Sequence, residues 1–221
     1  MPVSRATVQK CLPVIAQAID DLEPKARRGG RIVYVGAGTS RRLGVLDASE
    51  IPPTFSASSE QFVALIAGGD VALRHAQEAA EDDVEAGRED LKALNLNLDL
   101  DSLIGIAASG RTTYVLSCLA FAKSLGCITI GVACCNPSAM SSSGSVDFMI
   151  SAVTGPEVVT GSTRMKAGTA TKLVLNMLKS GGVGDSVGLW GVLVSEAVAV
   201  AVAMAVEDIA LTPMALMHAS S

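Results

Sequence analysis

Arg31-Ile32-Val33-Tyr34-Val35-Gly36-Ala37-Gly38-Thr39-Ser40 passes from a β-branched run straight into a glycine loop, after which Leu43, Val45 and Leu46 take up helical spacing. Strand, glycine turn and helix in this order form the unit from which parallel sheets are built. The unit returns downstream. Leu103-Ile104-Gly105-Ile106-Ala107-Ala108 reads as a second buried strand, Ser109-Gly110-Arg111-Thr112 as a tight polar loop, and Tyr114 to Leu125 as a helix stopped by Gly126. Ile128-Thr129-Ile130-Gly131-Val132-Ala133, ended by Asn136-Pro137, supplies a third strand, and Val146-Asp147-Phe148-Met149-Ile150 a fourth. Strands this continuously apolar are covered on both faces. The prediction is therefore an α/β fold, a three-layer αβα sandwich around a mostly parallel, doubly wound sheet.

Outward from these units, Val8, Leu12, Val14, Ile15, Ala18, Ile19 and Leu22 place one amphipathic helix over Ala6 to Leu22, broken by Arg27-Arg28-Gly29-Gly30. Pro52-Pro53 is expected to end the helix that follows the first glycine loop. Ser59 to Asp90 reads as one or two helices, interrupted at Gly68-Gly69 and carrying the acidic run Glu81-Asp82-Asp83. A last helix opens at Ser162-Thr163-Arg164-Met165-Lys166 and puts Leu173, Val174, Met177 and Leu178 on one face. Residues 1–180 thus form one domain. Residues 181–221 make an atypical apolar tail without a Lys or Arg, in which Val187 to Val206 is apolar apart from Ser195 and Glu196. The central glutamate, the many alanines and the missing positive flank count against a membrane span and favour a packed helix, or a non-native carboxy terminus from an incorrect reading frame or truncation.

The 221 residues are 49% hydrophobic but only 3% aromatic, so the core is small and aliphatic, and the chain is globular rather than disordered. A net charge of −5, with no basic run longer than Lys25-Ala26-Arg27-Arg28, argues against nucleic acid as a partner. Five cysteines without a C-x-x-C and only two histidines support neither a metal site nor a disulfide framework. Cys134 and Cys135 read as small buried hydrophobes. Met1-Pro2-Val3-Ser4-Arg5 opens no secretory signal, so the expected location is cytoplasmic.

Ligands of parallel sheets bind at the carboxyl ends of the strands, where both glycine loops lie. Gly36 and Gly38 let the backbone approach an anion, and Thr39 and Ser40 add hydroxyls at the positive end of the next helix. A dinucleotide loop is disfavoured, because Arg41 holds the third glycine position and Ser56 stands where an acid is wanted. No G-x-x-x-x-G-K-[ST] occurs either. What remains is a phosphorylated small molecule. Ser109, Gly110, Arg111 and Thr112 offer a second polar helix start, and Ser162 and Thr163 with Lys166 a third, against which ordinary N-caps are the plain alternative. Among acids and bases, His75 and His218 read as surface residues. Glu50 is fixed by the Ile51-Pro52-Pro53 that follows it, while Glu81 by spacing alone belongs to a solvated face.

These stretches together resemble one family. Val35 to Ser40, Arg42-Leu43-Gly44-Val45-Leu46-Asp47-Ala48-Ser49-Glu50 with Pro52-Pro53-Thr54, Leu65 to Gly69, Ala80 to Asp83, Gly105 to Thr112, Gly155 to Val158 and Thr160 to Thr169 follow in its order. The family is that of the N-acetylmuramic acid 6-phosphate etherases, which carry a sugar isomerase (SIS) domain of flavodoxin-like, doubly wound type. The resemblance runs from about Arg31 to Leu178. It implies cleavage of the D-lactyl ether of a phosphorylated amino sugar, without metal or organic cofactor, by a homodimer with its sites near the subunit contact. By motif position, Glu50 resembles the family's proton donor to the lactyl oxygen, and Glu81 its second catalytic residue, a candidate base at C2. Ser40, Ser109, Thr112 and Ser162 would hold the phosphate, among Gly38, Thr39, Gly110, Arg111, Thr163 and Lys166.

Three features depart from the family. Arg41 replaces a glycine, which is expected to strain the loop, clash, or salt-bridge the substrate. The amino terminus lacks a polar leader, and the stretch after Lys179 does not match the family's helical end, so a truncated or mis-spliced product is expected. Two further readings follow from the same fold: a binding module similar to the glucokinase regulatory protein, and an aldose–ketose isomerase. The motif series favours the etherase over both.

Overall fold

The computed structural model describes residues 2–55, 57–75, 77 and 79–183. Its elements are α1 (Pro2–Gln9), α2 (Leu12–Arg27), β1 (Ile32–Gly36), α3 (Gly38–Phe55), β2 (Phe62–Ile66), α4 (Val71–Arg74), a 3-10 turn (Ala80–Asp82), α5 (Val84–Ala93), β3 (Ser102–Ile106), α6 (Thr113–Ser124), β4 (Ile128–Ala133), α7 (Ala139–Ser142), β5 (Phe148–Ser151) and α8 (Lys166–Val183). The five strands form one sheet in the order β2-β1-β3-β4-β5, and every pair is parallel. Because strand order reverses between β1 and β3, the loops after these two strands flank the crevice in which doubly wound folds bind ligands.

Each face of the sheet has its own core. On one side Ile32, Tyr34, Ile104 and Ile130 pack against Ile15, Ile19 and Leu22 of α2, Ile51 of α3 and Val174 and Leu178 of α8. On the other, Val33, Val35 and Leu103 meet Leu91 of α5 and Val115 and Leu119 of α6. The alternation of neighbouring strand residues between the two clusters follows from the two-residue period of a strand. All three layers are thus accounted for.

Four local expectations need correction. The first helix is two: the chain breaks at Lys10-Cys11, and Pro13 sits in the first turn of α2, where its missing N–H costs nothing. Pro52 and Pro53 lie inside α3, which continues to Phe55 despite the hydrogen bonds they remove, with the fully buried Ile51 anchoring this end of the helix in the core. The stretch read as helical from Ser59 contains β2, an edge strand with only Phe62 and Ile66 buried. A five-residue apolar run carries too few positions for periodicity to separate strand from helix, and pairing with β1 decides it. The fourth predicted strand starts two residues later, at Phe148. Helix α8 runs through residue 180 to Val183, while the apolar stretch Val187 to Val206 and His218 lie outside the described residues. Among the described residues no helix is long and apolar enough to cross a membrane.

The amino ends of β1 and β3 are locked by Asp101, whose residue is 2% exposed. Its carboxylate accepts from the Arg31 backbone N–H (2.7 Å), Arg31 Nε (2.9 Å) and Nη2 (2.6 Å), and the Asn97 N–H (2.8 Å). Burial pushes this carboxyl up, but the bonds from Arg31 and Asn97 outweigh it and hold it below its ordinary value.

Candidate functional site

At the carboxyl edge of the sheet an open cavity of about 230 Å³ is bounded by Ala108 and Ser109 after β3, Cys134 after β4, Thr154 to Glu157 after β5, Thr160 to Thr163, and Ala167 at the start of α8. Three expected phosphate ligands, Ser109, Ser162 and Thr163, line it together. Gly110, Arg111 and Thr112 continue from Ser109 into α6. Thr112 is the N-cap residue of that helix, yet its hydroxyl makes no capping hydrogen bond, which leaves the first amides of α6 without a side-chain cap. Gly110 has φ +60, and an added Cβ would lie 2.5 Å from the Ser138 Cβ. Gly144 has a similar φ of +68 but open space around it. Gly110→Ala should therefore cost about 2–4 kcal/mol, from left-handed strain plus overpacking, and Gly144→Ala only about 1–2 kcal/mol. Equal shifts of the two denaturant midpoints would contradict this account of the loop.

The third helix start is already occupied. Glu157 accepts from the backbone N–H of Ala167 (2.9 Å) and of Lys166 (3.1 Å), and these bonds, the one from Ala167 foremost, hold its carboxyl below the ordinary value. The amide groups that would greet a phosphate at α8 thus serve a carboxylate of the same chain, and Lys166 Nζ donates to the Pro156 carbonyl. Glu157 carries the signal Gly155-Pro156-Glu157 in the sequence, but its capping role depends on how the loop folds back ten residues later.

The first loop sits on the other side of the switch point. Gly38 opens α3, Ser40 is buried, and Gly38 and Thr39 are half-buried. Arg41 does not strain this loop: its φ is not positive, the residue is 5% exposed, and its side chain turns inward, where Nη2 donates to the Ala72 carbonyl. Arg42 Nε donates next to it, to the Leu73 carbonyl (3.2 Å). The two arginines thereby cap α4 from α3. Burial and the neighbouring Arg42 lower the Arg41 pKa, and Glu81 opposes them. Glu81 itself lies in the exposed 3-10 turn, whose backbone carbonyl accepts from Thr113 Oγ1 (2.9 Å). The fold thus brings Glu81 to the start of α6, beside the Ser109 to Thr112 loop.

Glu50 is elsewhere. It lies twelve residues beyond Gly38 in α3, about 18 Å along the helix by its rise, in the layer opposite Glu81. Its carboxylate meets Lys172 Nζ at 3.3 Å and Lys179 Nζ at 3.4 Å. Both lysines also pair with the fully buried Asp47, at 3.1 and 3.4 Å, and Asp47 accepts a 2.8 Å bond from the Tyr34 hydroxyl. Lys172, foremost, and Lys179 hold the Glu50 carboxyl below its ordinary value. Sequence reading passed over this cluster. Its signal was the seven-residue spacing of Lys172 and Lys179, which puts both on one face of α8.

Cys134 and Cys135 are half-buried, not buried. Their thiols point apart, Cys134 toward the Ala167 carbonyl and Thr171, Cys135 to the Ser109 carbonyl at 3.0 Å. Burial pushes the Cys134 thiol up to about 11, so it stays protonated at neutral pH.

The family model described as the N-terminal SIS domain of glucokinase regulatory protein matches residues 14–123. Among solved structures, a phosphoheptose isomerase from Francisella tularensis superimposes with a TM-score of 0.56 at 19% identity, over 81% of this chain and 90% of that one. The NanR protein of Vibrio vulnificus, complexed with ManNAc-6P, gives 0.54 at 14% identity, over 94% and 69%. At such identities these two establish the fold alone, a three-layer αβα sandwich. Sequence relatives reach further. Proteins named N-acetylmuramic acid 6-phosphate etherase are 56% identical over 174 residues in Caldanaerobacter subterraneus subsp. tengcongensis, 57% over 171 in Glaesserella parasuis serovar 5, and 55% over 174 in Escherichia coli O1:K1 / APEC. These alignments take in 77–79% of this chain but 55–57% of the relatives, so the chain spans about half the length of the curated relatives it matches. On that identity, over more than three quarters of its length, the chain belongs to the N-acetylmuramic acid 6-phosphate etherase family of SIS-domain proteins.

Proposed function

We propose that the chain acts as a carbon–oxygen lyase, removing D-lactate from N-acetylmuramic acid 6-phosphate to leave N-acetylglucosamine 6-phosphate. The observation that carries this reading is the identity of 55–57% to proteins of that name. Residues 1–180 serve as the phosphosugar-binding domain, at work in the cytoplasm, off the membrane, and with no nucleic acid partner.

The chemistry asks little beyond two carboxylates. In the open-chain sugar the C2 proton is α to the aldehyde and the lactyl oxygen is on C3. A base takes the C2 proton, the C2–C3 double bond forms, and the C3–O bond breaks as an acid protonates the departing lactate oxygen. Water then adds across the double bond, its oxygen to C3 and a proton to C2, with the acid, now a base, activating it. Electrons and atoms balance with neither metal nor redox cofactor. Glu81, beside the α6 start, suits the C2 base; Glu50 suits the acid. Phosphate held at Ser109, Thr112 and Ser162, with Ser40 in the neighbouring loop, orients C2 and C3 through binding far from the breaking bond.

Glu50 and Glu81 occupy opposite layers of one chain, and α3 carries Glu50 well away from the phosphate loops. That separation supports a homodimer in which the Glu50 face of one copy meets the phosphate loops of the other. The test is D-lactate formation by the purified chain, with its mass in solution measured on the same sample. Lactate from a dimer is expected. Binding of the sugar phosphate without lactate would support the regulatory binding module instead.

A further inference from the structure

The Glu50 cluster sets two lysines against two carboxylates, so a further anion at the lysines leaves one carboxylate in excess. Asp47 is fully buried and engages both lysines, and Glu50 engages both again from the solvent side. The Lys172 side chain is 24% exposed, that of Lys179 13%, and that of Glu50 46%. Two ammonium groups therefore stand behind a carboxylate that is itself open to solvent. Around them, α3 contributes Asp47 and Glu50, α8 the two lysines, and β1 the Tyr34 hydroxyl, whereas β2 (Phe62–Ile66) brings no titratable side chain.

The reaction proposed above gives these lysines a second partner. The ether to be cut carries a carboxylate one carbon from the oxygen that Glu50 would protonate, so any ligand that places this oxygen at Glu50 places an anion beside Lys172. We propose that Lys172, supported by Lys179, is the specificity residue for the lactyl carboxylate, and that the incoming carboxylate takes over the contact Glu50 makes in the free protein. This rests on the etherase reading. The exchange solves a problem in that reading. A carboxylate paired with two lysines is a poor proton donor. Once the lactyl anion occupies Lys172, Glu50 loses its partner and gains a like charge nearby, and both changes favour its protonated form. The acid is then armed by the substrate that needs it. Asp47, buried and bonded to Tyr34, keeps the lysines in place throughout.

The test compares two ethers of N-acetylglucosamine 6-phosphate, the natural 3-O-D-lactyl compound and the 3-O-ethyl compound that lacks the carboxylate, by calorimetry and product assay on the full chain. Wild type should bind the lactyl ether at least about tenfold more tightly, the effect of one charge-assisted contact, and should take up a proton from buffer on binding it but not on binding the ethyl ether. Because Lys172 also balances Asp47, the pair is removed together in D47N/K172M. That variant should lose the preference and the proton uptake yet bind the ethyl ether as before, whereas Lys172→Arg should retain most of the preference. Equal affinity of wild type for both ethers, or an undiminished preference in D47N/K172M, overturns the inference while lactate release keeps the etherase reading intact. Failure of the wild type to bind either ether overturns both.

Discussion

Exchanging Glu50 for glutamine is expected to slow D-lactate release by about 10²- to 10⁴-fold, the range that a positioned acid or base supplies, with sugar phosphate binding preserved. Glutamine keeps the shape and the accepting oxygen but has no proton to give to the leaving alkoxide. The fold should tolerate it, since Asp47 remains as partner to Lys172 and Lys179. Glu81→Gln should lose a similar factor, and here the fold is protected for a different reason: the contact of Glu81 to α6 runs through its backbone carbonyl, which the substitution leaves untouched. Steady-state lactate assays, with thermal melts run alongside, check both. Full activity in either variant removes that glutamate from the chemistry; a lowered melting temperature together with lost activity would instead point to a structural role.

The second large effect concerns the frame that holds the loops in register. Asp101→Ala removes the acceptor of four hydrogen bonds and leaves the Arg31 guanidinium and two backbone N–H groups without it. Breaking a buried pair in this way costs about 3–5 kcal/mol, and the partial exposure of Arg31 puts the expected loss near about 3 kcal/mol. The pH dependence has a definite sign. Asp101 has a folded pKa below the unfolded value, so its contribution is complete above the unfolded carboxylate pKa of about 4 and fades as pH falls through the folded value. Wild type should thus exceed the variant by a gap that is flat near neutrality and narrows in acid below about pH 4. A gap that persists unchanged at the acid end would mean that Asp101 acts through packing rather than charge.

Arg31 to Ser40 and Leu103 to Thr112 were legible as strand–loop–helix units because they combine β-branched runs, glycine turns and helical spacing, three signals that agree. Phe62-Val63-Ala64-Leu65-Ile66 was not, since its strand character comes from lying against β1 rather than from its own pattern. Pro52-Pro53 misled for a related reason: proline is a local signal for a helix end, and packing of Ile51 into the core carries α3 past it. At the site, the loop hydroxyls were visible as residue types, and Ser109, Ser162 and Thr163 do meet at one cavity. The capping of α8 by Glu157, the inward turn of Arg41 and the lysines behind Glu50 were hidden, because each joins side chains from elements distant in sequence. The order of the elements is a local property of the chain, and the partners of its charges are not.

The most direct test of the account is where solvent oxygen goes. When the full chain acts on N-acetylmuramic acid 6-phosphate in water enriched in oxygen-18, elimination followed by hydration breaks the C3–O bond. The predicted result is one labelled oxygen at C3 of the sugar product, solvent hydrogen at its C2, and unlabelled D-lactate. Label in the lactate with an unlabelled sugar would mean that water attacks the lactyl carbon, and would contradict the elimination and the roles given to Glu50 and Glu81.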